Sequence, residues 1–150
     1  MSMRFQLDTQ NFDKKMQRLI KHTIPSLVEK GMGRAMLSLM NDCILEVPTV
    51  PLKEGWLRGS GSVFVQNKLV GTSPHGRPGR AVTAHIEPPR PHTWIGVIGF
   101  NTPYAARLHE GLGFTFTEPS AGPKYLESKL LQHRNDYIAE VADTIRNGGR

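Results

Sequence analysis

The stretch from Thr93 to Gly113 constrains this chain most, because it passes from strand to helix to tight turn in quick succession. Thr93-Trp94-Ile95-Gly96-Val97-Ile98-Gly99-Phe100 is rich in β-branched and aromatic residues, which suit a pleated, half-buried surface. Thr102 is placed to cap a helix over 103–110 whose first residue is Pro103, where a fixed φ helps and a missing N–H costs nothing. Tyr104 and Leu108 stand one turn apart and are expected to dock onto the sheet. Gly111 is expected to end the helix in a left-handed conformation, with Gly113 in a second conformation that resists a Cβ.

Upstream, 3–7 alternates as a short strand or arm, and Asp8 reads as an N-cap with Leu7 and Phe12 as a hydrophobic staple. Apolar residues then recur at helical spacing from Phe12 through Met16, Leu19, Ile20, Ile24, Leu27, Met32, Met36, Leu39, Met40 and Cys43 to Ile44. The dominant step is four, which overshoots a turn by roughly 40° on a helix of 3.6 residues per turn. Pro25 and the Gly31/Gly33 pair offer places to break, so the expectation is two helices, 8–23 and 25–46, the second facing the sheet. Val47-Pro48-Thr49-Val50-Pro51 ends that segment.

Residues 62–70 read as one long strand, 71–80 as a Gly/Pro-rich mobile loop without sheet pairing, and 81–87 as a cleanly alternating strand. The proline-rich turn 88–91 leads into 93–100, and 114–117 completes a small, mostly antiparallel sheet. A last helix opens at Pro123, with Leu126, Leu130, Tyr137, Ile138, Val141, Ala142 and Ile145 as its apolar face. Asp136 and Glu140, together with Lys129 and Arg134, read as its solvated face. The fold class is α+β: one domain over 1–150 with an N-terminal helical segment, a twisted sheet carrying one short helix, and a C-terminal helix packed on the sheet.

With 150 residues and 38% hydrophobic content, the core is expected to be modest, and such chains often finish burying themselves against copies of themselves. The formal net charge of +6 favours proximity to a polyanion. One cysteine, Cys43, excludes an intramolecular disulfide and a cysteine-based zinc site, and its apolar surroundings read as core. The N-terminus lacks the apolar core of a signal peptide, and no run approaches membrane-spanning length.

The chain holds no phosphate loop and no dinucleotide fingerprint, and Arg58-Gly59-Ser60-Gly61 is not a nucleophile elbow. His109-Glu110 lacks the second histidine of a zinc protease, and His85, His92 and His109 show no ligand spacing. No catalysis, cofactor or metal is expected.

Asn101-Thr102-Pro103-Tyr104-Ala105 followed by Leu108-His109-Glu110-Gly111-Leu112-Gly113 resembles the "N-x-P-Y-A … E-x-G-x-G" signature of small neck proteins of tailed phages, called head–tail joining, tail-completion or minor capsid proteins. Upstream, Gly55, Leu57 and Ser60 match that family's "P-x-x-T-G-x-L-x-x-S", with Glu54 in place of threonine. The resemblance spans most of 47–131. It implies a structural virion protein, assembled in the host cytoplasm, that forms a homo-oligomeric ring of six. The implied partners are neighbouring neck, connector and tail-tube proteins, with transient, non-specific contact to phage DNA in the lumen and none to membrane. Arg107 and Glu110 are expected to face solvent or a neighbouring subunit, and His75, Arg77 and Arg80 to contact DNA or the lumen. The alternative is a small basic DNA-binding protein using loop 71–80, since Gly76-Arg77-Pro78 resembles the core of the AT-hook, in which proline keeps the chain extended while arginine enters a narrow groove.

Overall fold

The computed structural model describes residues 10–77 and 93–148. The predicted Asp8 cap, the 3–7 arm, the 81–87 strand, the 88–91 turn, and Arg80, His85 and His92 lie outside them. The expected α+β architecture is present: a long N-terminal helix, a three-stranded antiparallel sheet with a short helix, and C-terminal helices packed on it.

Helix α1 (Gln10–Arg18), a wider π-helical turn (Leu19–Thr23) and α2 (Ile24–Leu45) follow one another without a break. The backbone stays helical at Arg18, Thr23 and Ile24. The expected pair of separate helices is thus one rod, about 50 Å long at 1.5 Å per residue. The reason lies in Pro25 and the step of four. Proline cannot donate to the carbonyl four residues back and its ring crowds it. The preceding turn widens instead, with Ile24 N–H reaching back five residues to the Leu19 carbonyl. Neither glycine interrupts α2. A Cβ on Gly31 would stand 3.1 Å from the Val141 backbone, and one on Gly33 would stand 3.1 Å from Val70. These glycines let a helix and a strand approach closely.

The predicted single strand 62–70 is a hairpin, β1 (Gly61–Val65) and β2 (Lys68–Thr72). Gln66 and Asn67 both take positive φ, 49° and 65°, the two-residue turn that matches strand twist. Strand β3 (Gly96–Phe100) pairs with the other edge of β1, Val63 opposite Ile98, giving the order β2-β1-β3. As the central strand under α2, β1 buries Val63 and Val65 completely. Residues 114–117 form no strand, and 71–72 belong to β2 rather than to a loop. Gly71 therefore does have sheet pairing, opposite Val63.

The core joins Leu39, Met40, Cys43 and Ile44 of α2 to Val50, Leu57, Val63, Ala105, Tyr125 and Tyr137. Cys43 is fully buried as expected, and burial pushes its thiol up to about 12, against the lowering field of Lys129. The predicted C-terminal helix is two helices, α5 (Tyr125–Gln132) and α6 (Arg134–Asn147), broken at His133. That elbow changes the helical phase. Leu130 and Ile138, expected on the apolar face, are exposed, while Tyr125, Lys129, Tyr137 and Thr144 are buried. Lys129, expected on the solvated face, has no accessible surface, and its Nζ donates to the Pro48 carbonyl at 3.2 Å. Among the described residues no helix is long and apolar enough to cross a membrane.

Candidate interaction surface

The segments 55–60 and 101–113 meet at Ser60. Gly55 has φ +83°, a left-handed conformation that favours glycine, and precedes the one-turn helix α3 (Trp56–Gly59). Leu57 is buried in the core. The buried Ser60 Oγ donates to the Leu57 carbonyl at 2.7 Å and accepts the Asn101 N–H at 2.8 Å. Gly55, Leu57 and Ser60 thereby fix the segment 50–60 against the start of the 101–113 block. Arg58 completes the brace, donating to the Val50 carbonyl at 2.6 Å and pairing with Glu118 at 3.2 Å. Glu118 also accepts the Leu52 N–H.

The helix α4 runs Ala105–Glu110, two residues later than predicted. Thr102 does not cap it with its side chain. Its backbone carbonyl takes the Ala105 N–H at 3.1 Å, and its hydroxyl is buried without a partner. The later start changes the inward face. Ala105 is buried and Leu108 packs against the core, while Tyr104, expected in the core, is 42% exposed. Gly111 is not left-handed, with φ −78° and ψ 103°. Glycine is needed there because a Cβ would strike the Phe114 ring and the Arg107 carbonyl. Gly113 has open space where a Cβ would stand, and its predicted constraint is absent.

Between the braced segment and α4 lies a cleft of about 350 Å³ lined by Pro51, Leu52, Leu57, Tyr104, Arg107, Leu108 and Phe114, with Lys53 and Glu54 at 53–54. Apolar side chains make up most of its lining, with the charged Lys53, Glu54 and Arg107 among them. Arg107 and Glu110 are both exposed, as expected, but neither is idle. The Arg107 guanidinium lies 5.2 Å from the centre of the Phe114 ring. Glu110 pairs with Lys124 and with His109 Nδ1, contacts that hold its carboxyl below and the Lys124 ammonium above their ordinary ranges.

The loop residues are partly anchored. Ser73 N–H donates to the Gly61 carbonyl at 2.8 Å and Arg77 N–H to that of Gly55 at 3.0 Å. The Arg77 guanidinium sits 5.3 Å from the exposed Trp56 ring, and His75 is half-buried nearby in sequence. Segment 51–57 thus meets Arg77 through Trp56 and Arg107 through the cleft. Sequence reading missed Trp56, Tyr104 and Phe114 as surface groups, because an aromatic beside a helix or turn normally signals core.

A second polar cluster lies where α2 meets the α5–α6 elbow. His133 Nε2 is 2.7 Å from Glu46 Oε2, its Nδ1 is 3.4 Å from Asp136 Oδ2, and Tyr137 Oη donates to Asp42 Oδ2 at 2.6 Å. The bond to Glu46 and the nearby carboxylates raise the His133 pKa. Burial first, and then Asp42, raise that of Tyr137. No protein-family model matches the chain, and neither curated proteins nor solved structures provide a match.

Proposed function

We propose that this chain is a structural, non-enzymatic subunit of a tailed-phage neck, forming a homo-oligomeric ring at the head–tail junction. The observation that carries the reading is apolar surface that the single chain leaves open. No side chain described along 10–23 is buried, yet Met16, Leu19, Ile20 and Ile24 are 36–54% exposed on this rod. Tyr104, Leu112 and Phe114 add exposed apolar area beside the cleft. A projecting helix gains little from propensity alone, and its stability comes from packing an amphipathic face. A ring of identical chains offers each rod and each cleft a neighbour. The resemblance at 101–113 supports the neck as the place, with connector and tail-tube proteins as further partners. The net charge of +6 suits a lumen through which DNA passes with backbone contact only. His75, Arg77 and Arg80 are the loop groups for that contact. Engagement of Arg77 with Trp56 supports this reading over a free AT-hook loop.

Native mass spectrometry and light scattering of the untagged chain test the ring. The wild type should form a closed oligomer that Leu19→Ser/Ile20→Ser, Tyr104→Ala and Arg107→Glu each weaken, with the monomer's Tm nearly unchanged. A chain that stays monomeric at high micromolar concentration would refute self-assembly. DNA binding should be weak and fall steeply with salt. Tight binding that survives high salt and vanishes in Arg77→Ala would favour the DNA-binding alternative.

A further inference from the structure

We propose that Asp42, Glu46 and His133 form a site for one divalent transition-metal ion of the zinc or cobalt kind, clasping the end of α2 to the α5–α6 elbow. The site stands or falls independently of ring formation.

Asp42 and Glu46 are one turn apart at the end of α2, so their carboxylates share a face. His133 sits in the elbow that the α5–α6 break creates, and the three side chains bring ligand atoms within 4.8 Å of one another. An ion held at about 2.0–2.2 Å from nitrogen and oxygen ligands needs separations of roughly 3.4 Å in a tetrahedral shell. The present spacings, from 2.7 Å between His133 Nε2 and Glu46 Oε2 to no more than 4.8 Å, bracket that value, and Glu46 is exposed. An imidazole with two carboxylates suits zinc or cobalt, whereas calcium and magnesium take oxygen-only shells.

The surrounding groups are those a ligand set requires. Asp136 Oδ2 stands 3.4 Å from His133 Nδ1, placed to accept an Nδ1–H and so leave Nε2 as the ligand atom once an ion is bound. Tyr137 fixes Asp42 through one carboxylate oxygen and leaves the other available. Three carboxylates around one imidazole also concentrate negative charge within a chain of net charge +6. Without metal, a proton lies between His133 Nε2 and Glu46 Oε2. The ion replaces it, and that proton leaves to solvent.

The test is Co²⁺ titration of the EDTA-washed, untagged full chain at pH 7.5, read by visible absorption and by displacement with Zn²⁺. One saturable ion per chain is expected, with Zn²⁺ raising Tm. Glu46→Gln and His133→Gln should lower affinity at least tenfold, and Asp136→Asn by roughly 10–100-fold through loss of ligand orientation. If His133→Gln fails to fold, Co²⁺ broadening of native-chain NMR signals locates the ion, with residues 42–46 and 133–137 expected to broaden first. No binding at millimolar Co²⁺ overturns the proposal. So does wild-type affinity in both ligand variants, or broadening centred on His109 and Glu110.

Discussion

Replacing Lys129 by alanine and by methionine should give very different stabilities. Lys129 is fully buried in α5, with Nζ 3.2 Å from the Pro48 carbonyl. Among the described residues no carboxylate lies within ion-pair distance of it. Alanine removes three buried methylenes, about 2.4 kcal/mol at roughly 0.8 kcal/mol each, and leaves a cavity that adds to the loss. The expected cost of Lys129→Ala is therefore about 3–4 kcal/mol. Methionine refills the stem's volume. It forfeits a hydrogen bond from a charged donor, worth about 1.5–3 kcal/mol, but also removes the several-kcal/mol cost of keeping an ammonium from water. These oppose each other, so Lys129→Met should change stability by no more than about 1 kcal/mol. Urea unfolding at fixed protein concentration, comparing midpoints at unchanged slope, measures both. A methionine variant as unstable as the alanine variant would refute the reasoning and make the ammonium, not the stem, what the core requires.

Gly31→Val should cost about 1–3 kcal/mol, because its Cβ would press on the Val141 backbone and on Thr144, forcing α2 and α6 apart; thermal unfolding checks this, and an unchanged Tm would place the helix contact elsewhere. Tyr137→Phe should cost about 1.5–3 kcal/mol by removing the 2.6 Å bond to the Asp42 carboxylate, with no loss of ring packing. His133, whose folded pKa is raised, contributes stability that is fully present below its unfolded value near 6.5 and lost as pH rises through the folded pKa. In EDTA, NMR should show that pKa above the ordinary range in the wild type and lower in Glu46→Gln; no change between the two would refute the pairing with Glu46.

The α+β class, the helical character of 10–45, the β3 strand, the short helix near 105–110 and the burial of Cys43 were legible in the sequence, because each follows from local periodicity and turn chemistry. Thr102 and Tyr104 were placed by a helix start two residues early, and that small shift turned Tyr104 outward; Gly111 follows a helix end that was placed correctly but leaves it in an extended conformation. A hairpin hidden in 62–70 depended on Gln66 and Asn67 accepting positive φ, which neither a Gly nor an Asn-Gly pair announced. The continuous rod depended on one widened turn before Pro25. Lys129, His133, Asp42 and Glu46 carried no shared motif. Asp42 and Glu46 stand at the end of α2 and the other two more than 80 residues later, and only the packing of α5 and α6 on α2 brings them together. By itself the sequence determined which segments become helix and strand, since backbone preference and apolar spacing act over a few residues. Tertiary structure alone decided which faces stay open and which charges are buried, because both depend on contacts between segments distant in the chain.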